Sequence, residues 1–200
     1  MRKFPLSIFI AAAALSLLSG CSALSDKAAD DNGPQPYKDP ASGVVLPAHV
    51  AGLDRTSLDT DDDSGKTPVS AHYSAAQASP ASFLHAAIII EPASKASPDQ
   101  MLGQTIRALQ KNPSFEQEDF QGQRSFGGVA ADCAQCSFDR PALSDRATFK
   151  VVIVPRGGYL VCFTFLVQAT QEKDCQPVMD HFVQAVLSQS TGTVLMTPAD

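Results

Sequence analysis

ATFKVVIVPRGGYLVCFTFLVQA, Ala147 to Ala169, decides the fold class. Two runs rich in β-branched and aromatic residues flank Pro155-Arg156-Gly157-Gly158. Such side chains suit a pleated surface, and glycines supply the positive φ of a tight hairpin turn. The stretch therefore predicts a strand over Ala147–Val154, a turn, and a returning strand over Tyr159–Ala169.

Upstream, Ser82–Glu91 is nearly continuous in apolar residues and predicts a central strand. Thr67–Ala75 alternates at Val69, Ala71 and Tyr73, as a half-buried strand does. Val44–Leu58 carries apolar residues in short groups, read as an entry strand with a turn at Ala51-Gly52. Ser97-Pro98-Asp99-Gln100 is a helix start: a capping serine, a proline at the first helical position and a glutamine three residues after the cap. Met101, Leu102, Thr105, Ile106 and Leu109 then mark one helical face, and Asn112-Pro113 ends it. Gln123–Phe138 holds Gly127-Gly128 and reads as a turn and a strand. Asp174 is placed to cap a last helix whose buried face is Val178, Phe182, Ala185 and Val186. Two helices are too few to cross over between parallel strands. The prediction is α+β: a mostly antiparallel sheet with two main helices packed on it.

The chain has 200 residues, enough for one domain with tails. Its net charge is -6 with no basic cluster, which excludes a nucleic-acid binder needing cations to displace counterions. Trp is absent, which argues against a Trp-lined sugar or peptide groove.

Met1-Arg2-Lys3 is a short positive start, and Phe4 to Leu18 carries no charge. That run is short for a bilayer span and right for the core of an export signal. Leu18-Ser19-Gly20-Cys21 follows, and it resembles the lipobox of bacterial lipoproteins. The resemblance implies cleavage before Cys21, diacylglyceryl on its thiol and acylation of its amine. Two or three acyl chains give lasting attachment to a lipid bilayer, where one is marginal. Ser22 stands where the family's inner-membrane retention signal has Asp, so the outer membrane, facing the periplasm, is implied. Ser22 to Ser42 is small, polar and acidic, with Pro34, Pro36 and Pro40. Such a segment buries too little apolar area to offset chain entropy. The expected organisation is a signal peptide over 1–20, a lipidated disordered tether over 21–43, an α+β domain over 44–188 and a flexible tail over 189–200. The early Gly52-Leu53 turn, the Tyr73-Ser74-Ala75 strand, the mid-chain helix, the hairpin and the closing helix resemble the PsbP-like domains of exported lipoproteins. That resemblance implies a binding or accessory role more than catalysis.

Cys133-Ala134-Gln135-Cys136 has redox spacing, but its flanks read as strand. A redox pair needs a helix N-terminus to lower the thiol pKa, and Asp132 raises it instead. Cys133, Cys136, Cys162 and Cys175 make an even set in an oxidising compartment, so structural disulfides are expected. Placing the last three strands in a meander favours Cys136–Cys175, then Cys133–Cys162. A four-cysteine zinc site is disfavoured, because only one pair has zinc spacing. Asp59-Thr60-Asp61-Asp62-Asp63-Ser64-Gly65 resembles the opening of a calcium loop, but its glycine falls one place late. Ser70 stands where the closing glutamate belongs, so a solvated acidic turn is the reading. His49, His72, His85 and His181 are scattered without the spacing of a metal pair. No catalytic residue, metal or cofactor is expected. The reading is a non-enzymatic envelope lipoprotein anchored through Cys21, holding an unidentified protein or small-molecule partner. The rivals are a thiol-disulfide oxidoreductase using Cys133 and Cys136, and a structural envelope component.

Overall fold

The computed structural model describes residues 34–60, 68–75, 84–140 and 145–190. Ten strands and two α-helices lie among them: β1 (Tyr37–Lys38), β2 (Val45–Leu46), β3 (His49–Val50), β4 (Leu53–Thr60), β5 (Val69–Ala75), β6 (His85–Pro92), α1 (Pro98–Leu109), β7 (Phe115–Phe126), β8 (Val129–Arg140), β9 (Asp145–Arg156), β10 (Tyr159–Gln168) and α2 (Glu172–Gln189). The hairpin forms as predicted. β9 and β10 pair antiparallel from Tyr159 opposite Arg156 to Gln168 opposite Ala147. Gly157 and Gly158 have φ of 56° and 82°, the two positive values that a two-residue turn requires.

The hairpin sits inside an eight-stranded antiparallel sheet of order β3-β4-β5-β6-β10-β9-β8-β7. Each face carries one helix. Successive strand residues point to opposite faces, so β10 divides itself between two cores. Val161, Phe163, Phe165 and Val167 join the core under α2, while Leu160, Cys162 and Leu166 join the core under α1. Burial on both faces is why this strand reads as one apolar run. Phe182 of α2 anchors the first core. Its ring meets Tyr73, Phe163 and Phe165 edge to face, at centroid distances of 4.9, 6.3 and 5.7 Å. The Tyr73 hydroxyl donates to the Pro47 carbonyl at 3.0 Å, which ties β5 to the entry segment. α1 starts where predicted, with the Ser97 N–H donating to Gln100 Oε1 at 3.3 Å.

Three expectations are corrected. The tether does not extend to residue 43: β1 pairs with β2, and Asp39 and Ser42 are buried. The Asp39 carboxylate accepts from the Ser42 N–H at 2.7 Å, and the Arg55 guanidinium donates to the carbonyls of Gln35 and Leu46. Polar residues here are held by hydrogen bonds rather than by apolar burial. A fourth member of the last meander, β7, is long and mostly exposed. It is an edge strand of polar residues with two register shifts in its first half, so no alternation announced that half. The last helix begins at Glu172, two residues before the expected cap, and Asp174 lies in its first turn. Of the acidic stretch Asp59–Gly65, Asp59 and Thr60 belong to β4, and residues 61–65 lie outside the described residues.

α2 is also held at its far end. The Arg156 guanidinium, buried at the hairpin tip, donates to the carbonyls of Leu187 (2.7 Å) and Ser190. The Ser190 hydroxyl donates to the Val186 carbonyl at 2.7 Å and accepts from the Val45 N–H at 3.1 Å. A cation here also suits the helix dipole. Arg156→Met strands two carbonyls and is expected to lower unfolding stability by about 2–3 kcal/mol in urea titrations. Ala51, at φ 53°, is the one described non-glycine residue in the left-handed region. Ala51→Gly removes a Cβ penalty of about 1–2 kcal/mol against an entropic cost of about 0.5–1 kcal/mol. The same titration should show a small gain for Ala51→Gly.

Candidate functional site

An open cleft lies where α2 stops covering the sheet. β7 and β8 continue past the helix, and their α2-side residues form an open margin. Along β7 these are Phe120, Gly122, Arg124 and Phe126, opposite Gln135, Cys133, Ala131 and Val129. Gly122 has a local purpose. The Phe120 ring folds over it so closely that a Cβ there would stand 3.0 Å from Cζ. The Arg124 guanidinium stacks on that ring, 5.1 Å from its centroid. The floor is apolar, with Phe126, Cys133, Phe165, Met179 and Val183. The cleft volume is about 30 Å³, room for a water or two and not for an organic ligand.

Charge at the mouth is already partly spent. Lys150 is buried and pairs with Glu172 at 2.9 Å, and it also donates to Gln176 Oε1. Gln176 in turn donates to Asp180 at 2.7 Å. Thr148 donates to Glu172 at 3.1 Å. No carboxylate pairs with Arg124 among the described residues. Arg124 is therefore the available cation of the cleft, held in place by an aromatic face.

The expected site residues fall apart in space. Cys21 lies outside the described residues. Cys133 and Cys136 are both in β8, three positions apart, and so face opposite sides. Cys133 and Cys175 belong to the core under α2, Cys136 and Cys162 to the core under α1. All four are free and buried. Each expected disulfide would have to pass through the sheet. Cys162 is opposite Ile153, whose other neighbour is Asp132, so Cys133 and Cys162 are two strands apart as well. Two spacings of about 4.8 Å exceed the roughly 7 Å a disulfide tolerates between Cα atoms. The meander that motivated the pairing is present, and sheet level was read correctly. Face was not.

The redox rival meets the same geometry. Burial pushes the Cys133 thiol up to about 11 and the Cys136 thiol up to about 12, and Asp132, Glu118 and Asp119 add to this. Cys162 is likewise raised to about 12 by burial. A redox pair needs the reverse shift and a shared face. His72 and His85 do come near one another diagonally, since His72 is opposite Ala87 and Ser74 opposite His85. Burial pushes the His72 imidazole below its ordinary value. No group of three metal-ligating side chains forms among the described residues. His49 is exposed beside Asp54, and His181 is exposed on α2.

The cleft was missed from sequence because Phe120 and Phe126 are diluted by glutamine and charge. The usable signal was FQGQRSFGGVAADC, a second glycine-pair hairpin with Phe120, Gly122, Arg124 and Phe126 at period two.

No protein-family model and no curated protein matches the chain. Solved structures with a similar fold include the cyanobacterial PsbP of Synechocystis, at 10% identity and TM-score 0.46, covering 84% of this chain and 99% of that one. LpqN of Mycobacterium tuberculosis, described as involved in cell envelope biogenesis, has 13% identity and TM-score 0.43 over 65% and 87%. The Ran-binding protein Mog1p of Saccharomyces cerevisiae has 12% identity and TM-score 0.45 over 80% and 94%. At these values the likeness concerns fold and assigns no activity.

Raised thiol and phenol pKa values give alkaline sensitivity. Cys133, Cys136, Cys162 and Tyr73 (about 12) all stay protonated longer when folded. The folded state then binds more protons than the unfolded state above about pH 8.5. Their contribution is full below that pH and is lost as pH rises towards 12. Urea midpoints should therefore fall between pH 7.5 and pH 10. Native iodoacetamide labelling of Cys133 at pH 8 should run roughly 100-fold slower than that of a free thiol, and rise steeply above pH 10.

Proposed function

We propose that this chain is an envelope lipoprotein, acylated at Cys21, whose domain binds a protein partner. The lipobox, Leu18-Ser19-Gly20-Cys21 behind a 15-residue uncharged run, is the observation that carries the anchoring. The cleft supports the binding role: it is too small for an organic ligand and is edged by Arg124 on an aromatic ring, with no carboxylate paired to it among the described residues. Its chemistry suits one apolar side-chain tip with a carboxylate beside it, presented by an extended protein segment. The free outer edge of β7 lies alongside to meet that segment's backbone. The opposite-facing, strongly protonated thiols speak against the oxidoreductase.

Cys21→Ala is the test. The parent should sediment with membranes and carry acyl mass on the peptide that begins at Cys21. The variant should move to the soluble fraction of the exported protein. An unmodified Cys21 in the parent, or an unchanged membrane fraction in the variant, would overturn the reading.

A further inference from the structure

The outer side of β7 is open, and its hairpin dictates which backbone groups it presents. β7 is the last strand of the sheet. Gly127 and Gly128 have φ of 58° and 86°, so a two-residue turn joins β7 to β8, and Phe126 and Val129 close it. The closing pair of such a turn is hydrogen-bonded, and bonded and non-bonded pairs then alternate along an antiparallel ladder. The register runs unbroken from Phe126 opposite Val129 to Phe120 opposite Gln135. Phe126, Arg124, Gly122 and Phe120 therefore bond to β8. Gln121, Gln123 and Ser125, all exposed, turn their N–H and C=O groups outwards. Both register shifts lie before Phe120, so this half of β7 is a regular edge that a further strand can join. On the cleft face the same half presents the Phe120 ring, covering Gly122, and the Arg124 guanidinium stacked on it.

Resting on the binding role proposed above, we infer that the partner's segment docks antiparallel on this edge as a ninth strand, with an acidic residue opposite Arg124 and an apolar residue two positions later opposite Gly122. The backbone of Gln121, Gln123 and Ser125 supplies the ladder, and antiparallel pairing is the more stable per residue. Residues opposite Arg124 and Gly122 lie two apart in an added strand and share the cleft face. Antiparallel order puts the acidic one first. Its carboxylate meets a guanidinium that no carboxylate pairs with among the described residues. The apolar one packs on the Phe120 ring. A second copy of this chain does not supply the pattern. Two antiparallel β7 strands joined through their outward groups set Arg124 opposite Phe120, Gly122, Arg124 or Phe126 of the copy, and none of these carries a carboxylate. The occupant is thus a different protein, with an Asp/Glu-x-apolar strand free to pair.

The probe is a dye-labelled, end-capped peptide, Thr-Thr-Glu-Thr-Val-Thr-Thr, titrated by fluorescence anisotropy against the full mature protein in detergent micelles. Arg124→Gln should weaken its binding about tenfold, through loss of a charge-assisted hydrogen bond. Gln123→Pro removes one outward N–H, spares the bonds to β8 and follows a glycine, which tolerates a proline after it. This variant should keep a cooperative urea transition and bind about tenfold weaker or less. Gln123→Ala, which loses only the side chain and its bond to Asp132, should bind as the parent does. The peptide gives the same answer without relying on any variant's folding. N-methylation of the threonine between Glu and Val should abolish binding, and N-methylation of Val should leave it in place. The peptide with Val ahead of Glu should bind several-fold more weakly. Binding that falls with Arg124→Gln but ignores Gln123→Pro and both N-methyl groups overturns strand addition and leaves the cleft as a binding site. A Val-first peptide that binds as tightly overturns the acidic-first order. A doubled mass of the Cys21→Ala protein in sedimentation, abolished by Gln123→Pro, puts a second copy on the edge and overturns the partner assigned here. No saturable binding by either peptide overturns the inference and, with it, the cleft as the binding site, whatever the state of Cys21.

Discussion

One constraint governs this molecule: neighbouring residues of a strand point to opposite faces, and here both faces are covered. The β9–β10 hairpin lies near the middle of the sheet and feeds two cores at once. Ile153 and Val154, or Cys162 and Phe163, are adjacent in the chain and in separate interiors. A sheet of this kind needs a helix for each face, and α1 and α2 supply them. It also partitions whatever chemistry the strands carry. Cys133 and Cys136 look like a pair in sequence and are separated by the thickness of a sheet.

The margins depend on that centre in a different way. α2 covers only part of its face, and it is positioned by polar contacts at both ends. Lys150, Glu172, Gln176 and Thr148 hold the first turns, and Arg156 with Ser190 closes the last. Where the helix stops, β7 and β8 run on with Phe120 and Gly122 half-buried and Arg124 exposed. The cleft follows from a helix narrower than its sheet. Gly122 and Phe120 fill most of the gap, which is why so little volume remains. The entry segment depends on α2 too, since the Val45 N–H reaches Ser190.

Elements with an apolar signature were legible in the sequence. The hairpin at Gly157-Gly158, the strand at Ile88–Ile90, the face of α1 and the antiparallel α+β class follow from periodicity, turn residues and helix count. Elements held by hydrogen bonds or edge pairing were not. β7 has Glu116, Gln117, Glu118 and Asp119 in succession, and its pairing with β8 is a backbone matter that composition hides. The strap at 34–43 looks like a tether because Asp39 and Ser42 stabilise it through each other. The disulfide expectation failed for a further reason. Level along a meander was inferred well, but level and face are independent, and the period of two decides the second. Of the site, Cys21 is readable by resemblance alone, and Phe120 with Arg124 only once β7 is placed.

The most direct test of the partition is the state of the four domain cysteines. Protein isolated without reductant should be unfolded in guanidinium with iodoacetamide present and then digested. If the sheet divides the thiols as described, Cys133, Cys136, Cys162 and Cys175 should all carry carbamidomethyl groups. A linked peptide joining Cys136 to Cys175, or Cys133 to Cys162, would contradict the account, because neither bond can form with these strands in this register.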